Sequence, residues 1–221
     1  MMTLAALGFR AHSGWAAAVA VAERFTRAAS VVVPPGVPTS VIDRRRIELV
    51  DEKAPSSLQP YHAAAEMAFP EAEKWVKHCT DRTQFLARQA IAAFIHELEE
   101  KGYRVAACGI VLASGRALPP LAAILASHPL IHTAEGELFR NALSDAGKYC
   151  GLSVTGVKER ELYTRGAAEL GVEEDELRRR LAEMGRLLGP PWRQDEKSST
   201  IAGWLALAAA GHRQSNRAER A

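Results

Sequence analysis

The sequence predicts an α/β fold, a mixed five-stranded sheet with an antiparallel three-strand meander flanked by helices. The composition is that of an ordinary globular domain, with 48% hydrophobic and 24% charged residues in a chain of 221. Three strand-like segments come first, and helical and strand patterns alternate after them. A meander followed by α–β crossovers gives a mixed sheet with helices packed against it.

The strands are predicted from short apolar segments bounded by turn residues. Residues 3–9 and 16–22 form a hairpin, since the polar connection between them carries Gly14, which tolerates a tight turn. A loop rich in proline at residues 34–38 leads to a third strand at 40–50. The run 103–113 is almost continuously apolar, as a central strand covered on both faces should be. A fifth, short strand is expected at 152–157.

The helices are predicted from apolar residues at helical spacing and from their end signals. The first is long: Pro70 suits its opening turn, and Gly102 ends its pattern. No linker divides the chain, so residues 1–211 are expected to be one domain and residues 212–221 a frayed polar tail. The other helices are expected as a short piece after Pro119 and Pro120, then at 133–149, 159–170, 173–188 and 195–210.

Charge and cysteine content exclude several classes of protein. The net charge is only +2, with 28 basic against 26 acidic residues, so no general attraction to nucleic acid or anionic membrane is expected. The three cysteines support no disulfide framework, and Cys79 and Cys108 lie in apolar patterns typical of buried thiols. Neither a signal peptide nor an apolar run of spanning length is evident. A cytoplasmic protein without membrane association is expected.

Two segments resemble the ribonuclease H-like fold, and within it nucleases of the Holliday junction resolvase type. Residues 7–16, LGFRAHSGWA, are similar to the first hairpin of the resolvases, where an apolar strand carries an Asp into a Gly/Ser turn. Residues 194–205, QDEKSSTIAGWL, are similar to their final helix, which begins with an acidic residue and continues apolar. The resemblance implies a site at the end of the sheet, where clustered carboxylates of such nucleases hold two metal ions.

The same segments depart from the resolvase pattern at the residues that matter for metal binding. Arg10 and His12 stand where the resemblance calls for a carboxylate, and residues 114–116 after the central strand supply none. Only Asp195 or Glu196 could match a ligand of that family. One carboxylate cannot hold two magnesium ions, so the carboxylate cluster is expected to be absent and ordinary two-metal nuclease activity with it.

The densest group of chemically active side chains lies between residues 128 and 137. His132 with Glu135 or Glu137 could form an acid–base pair or a metal site. His128 precedes Pro129 and is expected on an extended segment before the helix. In the alternative interpretation Thr133 caps the helix and the two glutamates favour its N-terminal dipole.

Two further groups are predicted near the end of the sheet. Arg10, His12 and Ser13 on the hairpin could hold a phosphate or carboxylate, or they could form an ordinary surface turn. Tyr61 and His62 are expected in a loop that could project toward this hairpin, although a purely structural histidine is the alternative. Nucleophile-elbow, P-loop and dinucleotide-binding motifs are absent from the sequence.

Three functions remain open from the sequence. The favoured one is a ligand- or nucleic-acid-binding protein on a ribonuclease H-like scaffold, with Arg10, His12, Ser13 and Tyr61 contacting a nucleotide, a nucleic acid or another ligand. The second is a hydrolase whose catalytic residues would be His62, His132, Glu135, Glu137 and Asp195. The third is a protein-interaction module that docks a partner through the charged helix at 173–188. The sequence assigns no cofactor and no metal ligands, and it leaves self-association open.

Overall fold

The computed structural model describes residues 2–23, 39–51, 54–113 and 117–218, and the predicted loop at 34–38 and residues 114–116 lie outside them. In the described residues the strands are β1 Thr3–His12, β2 Trp15–Glu23, β3 Thr39–Glu48, β4 Tyr103–Leu112 and β5 Ser153–Lys158. The α-helices are α1 Pro60–Ala65, α2 Phe69–Glu100, α3 Leu121–Leu125, α4 His128–Tyr149, α5 Leu162–Leu170, α6 Glu174–Leu188 and α7 Gln194–Ala218. Short 3₁₀ turns at Pro55–Leu58 and Glu159–Glu161 precede α1 and α5.

The five strands form one mixed sheet in the order β3-β2-β1-β4-β5. The chain runs antiparallel from β1 to β2 and from β2 to β3, while β4 and β5 continue parallel to β1. The hairpin closes tightly, because His12 pairs with Trp15 and Gly14 takes a left-handed φ of 81° between them. The predicted fold class, a mixed sheet with a three-strand meander and flanking helices, is confirmed.

Side chains alternate between two cores because successive residues of a strand point to opposite faces. On β1, Leu4 and Ala6 face a core built with α5, α6 and α7. Ala5, Leu7 and Phe9 face a second core built with α2 and α4. The sheet is therefore covered by helices on both sides.

Helix α7 lies against the backbone of the two central strands. A methyl group added at Gly8 of β1 would lie 1.8 Å from the carbonyl oxygen of Ser199, and one at Gly109 of β4 would lie 1.9 Å from that of Ala202. Ser199 itself is fully buried, and its hydroxyl donates to the carbonyl of Ala17 at 3.0 Å. Small residues on both strands thus allow the helix to sit directly on the sheet.

The structure corrects three local predictions. His128 is the first residue of α4 rather than part of an extended segment. Pro129 is tolerated in the first turn because backbone N–H groups there have no intrahelical acceptor, so the missing N–H of proline breaks no hydrogen bond. Thr133 is not the helix cap, since its hydroxyl donates to the carbonyl of Pro129 one turn earlier, inside the helix. Tyr61 and His62 lie on the short helix α1, not in a loop.

Helix α7 is also longer than predicted, since it continues to Ala218 instead of ending near residue 210. The added residues contain neither proline nor a glycine beyond Gly211, so nothing in them stops a helix that has already formed.

The predicted burial of two cysteines is confirmed. Cys79 and Cys108 are buried and unbonded, and burial raises their pKa to about 11 and about 12 respectively. Both therefore stay protonated at neutral pH and behave as small apolar side chains. None of the helices in the described residues is long and apolar enough to cross a membrane.

The fit of α7 on the sheet makes a strong prediction for Gly8→Ala. The new methyl group would meet a backbone carbonyl that cannot rotate away, so the free energy of unfolding should fall by about 3 kcal/mol or more. Urea unfolding followed by circular dichroism measures the change in stability.

Gly211→Ala on α7 is the control, because a methyl group there meets nothing within 4 Å. The control should leave stability unchanged or raise it by up to about 1 kcal/mol. Equal stability of Gly8→Ala and the parent protein would contradict the close packing.

Candidate metal centre

Three histidines from two helices converge at the surface. His128 and His132 are four residues apart on α4 and therefore share one face of the helix, and His62 reaches them from α1. One nitrogen of each ring lies within 4.8 Å of the others. The ring centroids are 5.3 Å (His62–His128), 4.6 Å (His62–His132) and 4.5 Å (His128–His132) apart, and all three pairs meet edge to face. These residues are called the histidine cluster below.

A buried carboxylate orients one member of the cluster. Glu135, one turn after His132 on α4, is only 3% exposed. One of its oxygens accepts the backbone N–H of His62 at 3.2 Å and contacts the ring Nδ1 of the same residue at 2.9 Å. With Nδ1 donating to the carboxylate, Nε2 of His62 is left with a free lone pair. Such a carboxylate–histidine pair is the usual support of a metal-binding imidazole.

The position of His62 is set by the packing of α1. Tyr61 packs at the junction of three apolar clusters, which contain residues of α2, α3 and α4. Burial, with a smaller effect of the Glu135 negative charge, raises the pKa of the Tyr61 hydroxyl. The indole of Trp75 on α2 donates to the carbonyl of Pro60 at 3.2 Å and holds the start of α1. Tyr61, predicted to contact a ligand, thus has a packing role in the structure.

An open cavity of about 390 Å³ adjoins the cluster and reaches the β1–β2 hairpin. We call it the hairpin cavity; His62 forms part of its wall and Ser13, at the hairpin turn, another part. Leu58 closes the same turn, since a methyl group added at Gly14 would lie 2.3 Å from its side chain. The remaining lining residues are Ser56, Gln59 and Ala63. Apolar atoms make up most of the surface of the wall, with polar groups set among them. His62 and Ser13, which were predicted for different sites, thus border one cavity.

The predicted residue Asp195 lies in a different group. One of its oxygens is 2.9 Å from Nε of Arg10 and 3.0 Å from Nε2 of His12. Arg10 also pairs with Glu159, at 2.6 Å, at the end of β5. The ring of His12 stacks on Trp15 with centroids 4.4 Å apart. The first hairpin thus carries a guanidinium held between two carboxylates.

Glu137 likewise has another partner. Its carboxylate accepts from Arg140, one turn later on α4, at 3.1 Å. Of the predicted catalytic residues, His62, His132 and Glu135 come together, whereas Glu137 and Asp195 are engaged elsewhere. His128 joins the cluster although the sequence interpretation placed it outside the helix. Its four-residue spacing from His132, read with Pro129 as a first-turn residue, is the signal that identifies it.

The cluster has the ligand set of a catalytic type of zinc site. Imidazole nitrogen is a preferred ligand of Zn²⁺, and sites with three protein ligands keep the fourth position for water or substrate. Ligand atoms at about 2.0–2.1 Å from a tetrahedral ion lie about 3.4 Å apart, so nitrogens within 4.8 Å of one another must approach by at most about 1.4 Å to bind one. His128 and His132 are exposed, which leaves their rings free to rotate by that amount.

Comparisons with known proteins return no family and two solved structures of low sequence identity. No family model matches the sequence, and no curated protein matches it. The structure of Thermus thermophilus RuvC has a TM-score of 0.48 and 9% sequence identity with this chain, covering 96% of each chain. T. thermophilus RuvC in complex with a Holliday junction substrate has a TM-score of 0.47 and 11% identity, covering 97% of this chain and 96% of that one.

The Glu135–His62 pair makes a prediction for stability. Glu135→Ala removes both acceptor contacts to His62 and leaves the backbone N–H of that residue without its partner. We expect the free energy of unfolding to fall by about 1–3 kcal/mol. Asp145→Ala is the control on the same helix and should cost less than about 1 kcal/mol, since it breaks an exposed ion pair with Lys148. Thermal melts of both variants make the comparison, and equal losses would show that Glu135 does not hold α1.

Proposed function

We propose that this chain is a zinc-dependent hydrolase whose metal ligands are His62, His128 and His132. The observation that carries the proposal is the convergence of three imidazole nitrogens within 4.8 Å, with a buried carboxylate on Nδ1 of one ring. Glu135 acts on the metal through His62, because it fixes the orientation and tautomer of that ring. The proposal develops the sequence hypothesis of a His/Glu hydrolase: it keeps His62, His132 and Glu135 and adds His128. Glu137 and Asp195 have no part in it.

The ion supplies a Lewis acid that lowers the pKa of a bound water to about 7. The chain supplies the rest of the site. His128 and His132 are exposed and leave the ion open to solvent and substrate, while the hairpin cavity lies on the His62 side. A volume of about 390 Å³ suits a small molecule or one residue of a larger substrate. Ser13, Ser56 and Gln59 provide neutral hydrogen-bonding groups along its wall.

A second candidate is the binding scaffold without two-metal nuclease activity. Arg10 favours it, because its guanidinium lies between Glu159 and Asp195 and neutralises the two carboxylates at that end of the sheet. A pair of magnesium ions would have to displace this cation. Mg²⁺ or Mn²⁺ should therefore give no cleavage of branched or duplex DNA, and metal-dependent cleavage that survives His132→Ala would overturn this part. The cytoplasmic location and the single domain of residues 1–211 stay predictions.

Zinc should stabilise the folded protein. At about one hundred times its dissociation constant, a ligand that binds only the native state adds about 2.7 kcal/mol. For a chain of this length the melting temperature should rise by roughly 5–10 °C. We expect this rise with Zn²⁺ and none with Mg²⁺, which prefers oxygen ligands. His132→Ala should remove the rise, and Glu135→Gln should weaken zinc affinity by about 10–100-fold. Differential scanning calorimetry and zinc titration measure both effects.

The matched control is His96→Ala, which removes an exposed histidine of α2 outside the cluster. It should leave the zinc response intact. A zinc response that persists in His132→Ala, or its absence in the parent protein, would refute the metal site.

Once zinc binding is established, hydrolysis is tested with a panel of small esters, amides and phosphate esters. Zinc-dependent turnover lost in His132→Ala supports the hydrolase, and zinc binding without turnover across the panel would count against it.

A further inference from the structure

A second pocket lies at the junction of α6 and α7, and it shares no lining residue with the hairpin cavity. We call it the α6–α7 pocket. Gly185 and Arg186 of α6, Trp192 of the connection and Lys197 of α7 are among its lining residues. Its volume is about 370 Å³, within the range of small-molecule sites. The pocket is open, so a ligand can enter without any movement of the fold.

Trp192 forms a fixed aromatic wall. Its indole Nε1 donates to the carbonyl of Leu181 on α6 at 2.7 Å. The ring rests on the helix backbone at Gly185, where an added methyl group would lie 2.1 Å from the ring. A ring held at two points loses little further freedom when a planar group stacks on it.

The cationic side chains of the pocket have no acidic partners in the described part of the chain. Neither Arg186 nor Lys197 makes an ion pair there, whereas the neighbouring acids are engaged. Glu183 pairs with Arg179 at 2.6 Å, Asp195 pairs with Arg10, and Glu196 accepts the backbone N–H of Arg193 at 2.6 Å. In the described residues the pocket therefore carries two positive charges without ion-pair partners, beside an aromatic ring.

Arg44 of β3 holds the connection in place behind the pocket. Its guanidinium donates to the carbonyl oxygens of Leu188, Gly189 and Pro190 at 2.7, 3.1 and 3.2 Å. It also lies 5.9 Å from the centroid of the Trp192 ring. These contacts fix the end of α6 and add a third positive charge near the ring.

We propose that the α6–α7 pocket binds a nucleotide unit, with the base against Trp192 and the phosphate between Arg186 and Lys197. A nucleotide has a planar base that can stack on an aromatic ring and a phosphate that cationic side chains can bind, so it matches both features of the pocket. A free nucleotide and an unpaired nucleotide of a nucleic acid share this chemistry. The site is independent of the proposed zinc centre, since it uses none of its residues.

The test measures binding of AMP by calorimetry and of a labelled single-stranded dT oligonucleotide by fluorescence anisotropy. The double variant Arg186→Ala/Lys197→Ala should weaken both by about tenfold or more, because it removes both phosphate contacts. For the oligonucleotide, the slope of log K against log salt should become shallower by about 0.7, the value for the loss of contact with one phosphate on a single strand. Circular dichroism and a melt establish that the variant is folded.

The matched control is Lys74→Ala/Arg104→Ala, which removes one lysine and one arginine from exposed positions on α2 and β4. It should bind both ligands as the parent does. His132→Ala should also bind them normally, so a failed zinc site and a failed nucleotide site are distinguishable. Inorganic phosphate should bind more weakly than AMP, because it has no base to stack.

Binding of AMP and oligonucleotide, or of either one, with loss only in the pocket variant supports the proposal and identifies the source of the nucleotide. Phosphate binding as tightly as AMP would overturn the role of Trp192. Equal weakening of binding by the pocket variant and the control would show that binding depends on overall charge, and it would overturn the site. Absence of binding by the parent protein would also overturn it.

Discussion

The close approach of α7 to the central strands is the constraint on which the rest of the fold depends. Gly8 and Gly109 lack the side chains that would hold the helix away, so its backbone lies against β1 and β4. From that position α7 brings Asp195 to the end of β1, where it meets Arg10. The same first turns of the helix carry Lys197 to the end of α6. A packing requirement in the core thereby decides which charged residues meet at the surface.

The histidine cluster depends on a second buried interaction, between Glu135 and His62. A carboxylate that is 3% exposed is costly unless it is paired, and its partners are the ring and backbone N–H of one residue on α1. The interaction therefore has two consequences. It holds α1, a helix too short to be stable alone, against the core. It also leaves Nε2 of His62 with a free lone pair.

Charge is distributed locally in a way that the net value of +2 does not reveal. At the hairpin, the single cation Arg10 is shared by two carboxylates and is effectively neutralised. On α6, Arg179 pairs with Glu176 and Glu183 of the same helix, which fits the predicted solvated face. At the α6–α7 junction, by contrast, the positive charges of Arg186 and Lys197 face an open pocket. Recognition of an anion depends on such local excess and not on the overall balance.

The sequence alone determined the element order and the fold class, because periodicity and turn residues are local signals that survive in one dimension. It also placed His132 and Glu135 one turn apart and marked them as chemically active. It placed His128 wrongly, since the residue before a proline favours extended backbone unless a helix begins there. Only the tertiary structure brought His62 to α4, assigned Asp195 to Arg10 instead of the histidines, and opened the pocket beside Trp192. These contacts join residues far apart in the chain, and their partners are selected by how the helices pack on the sheet, which no local pattern encodes.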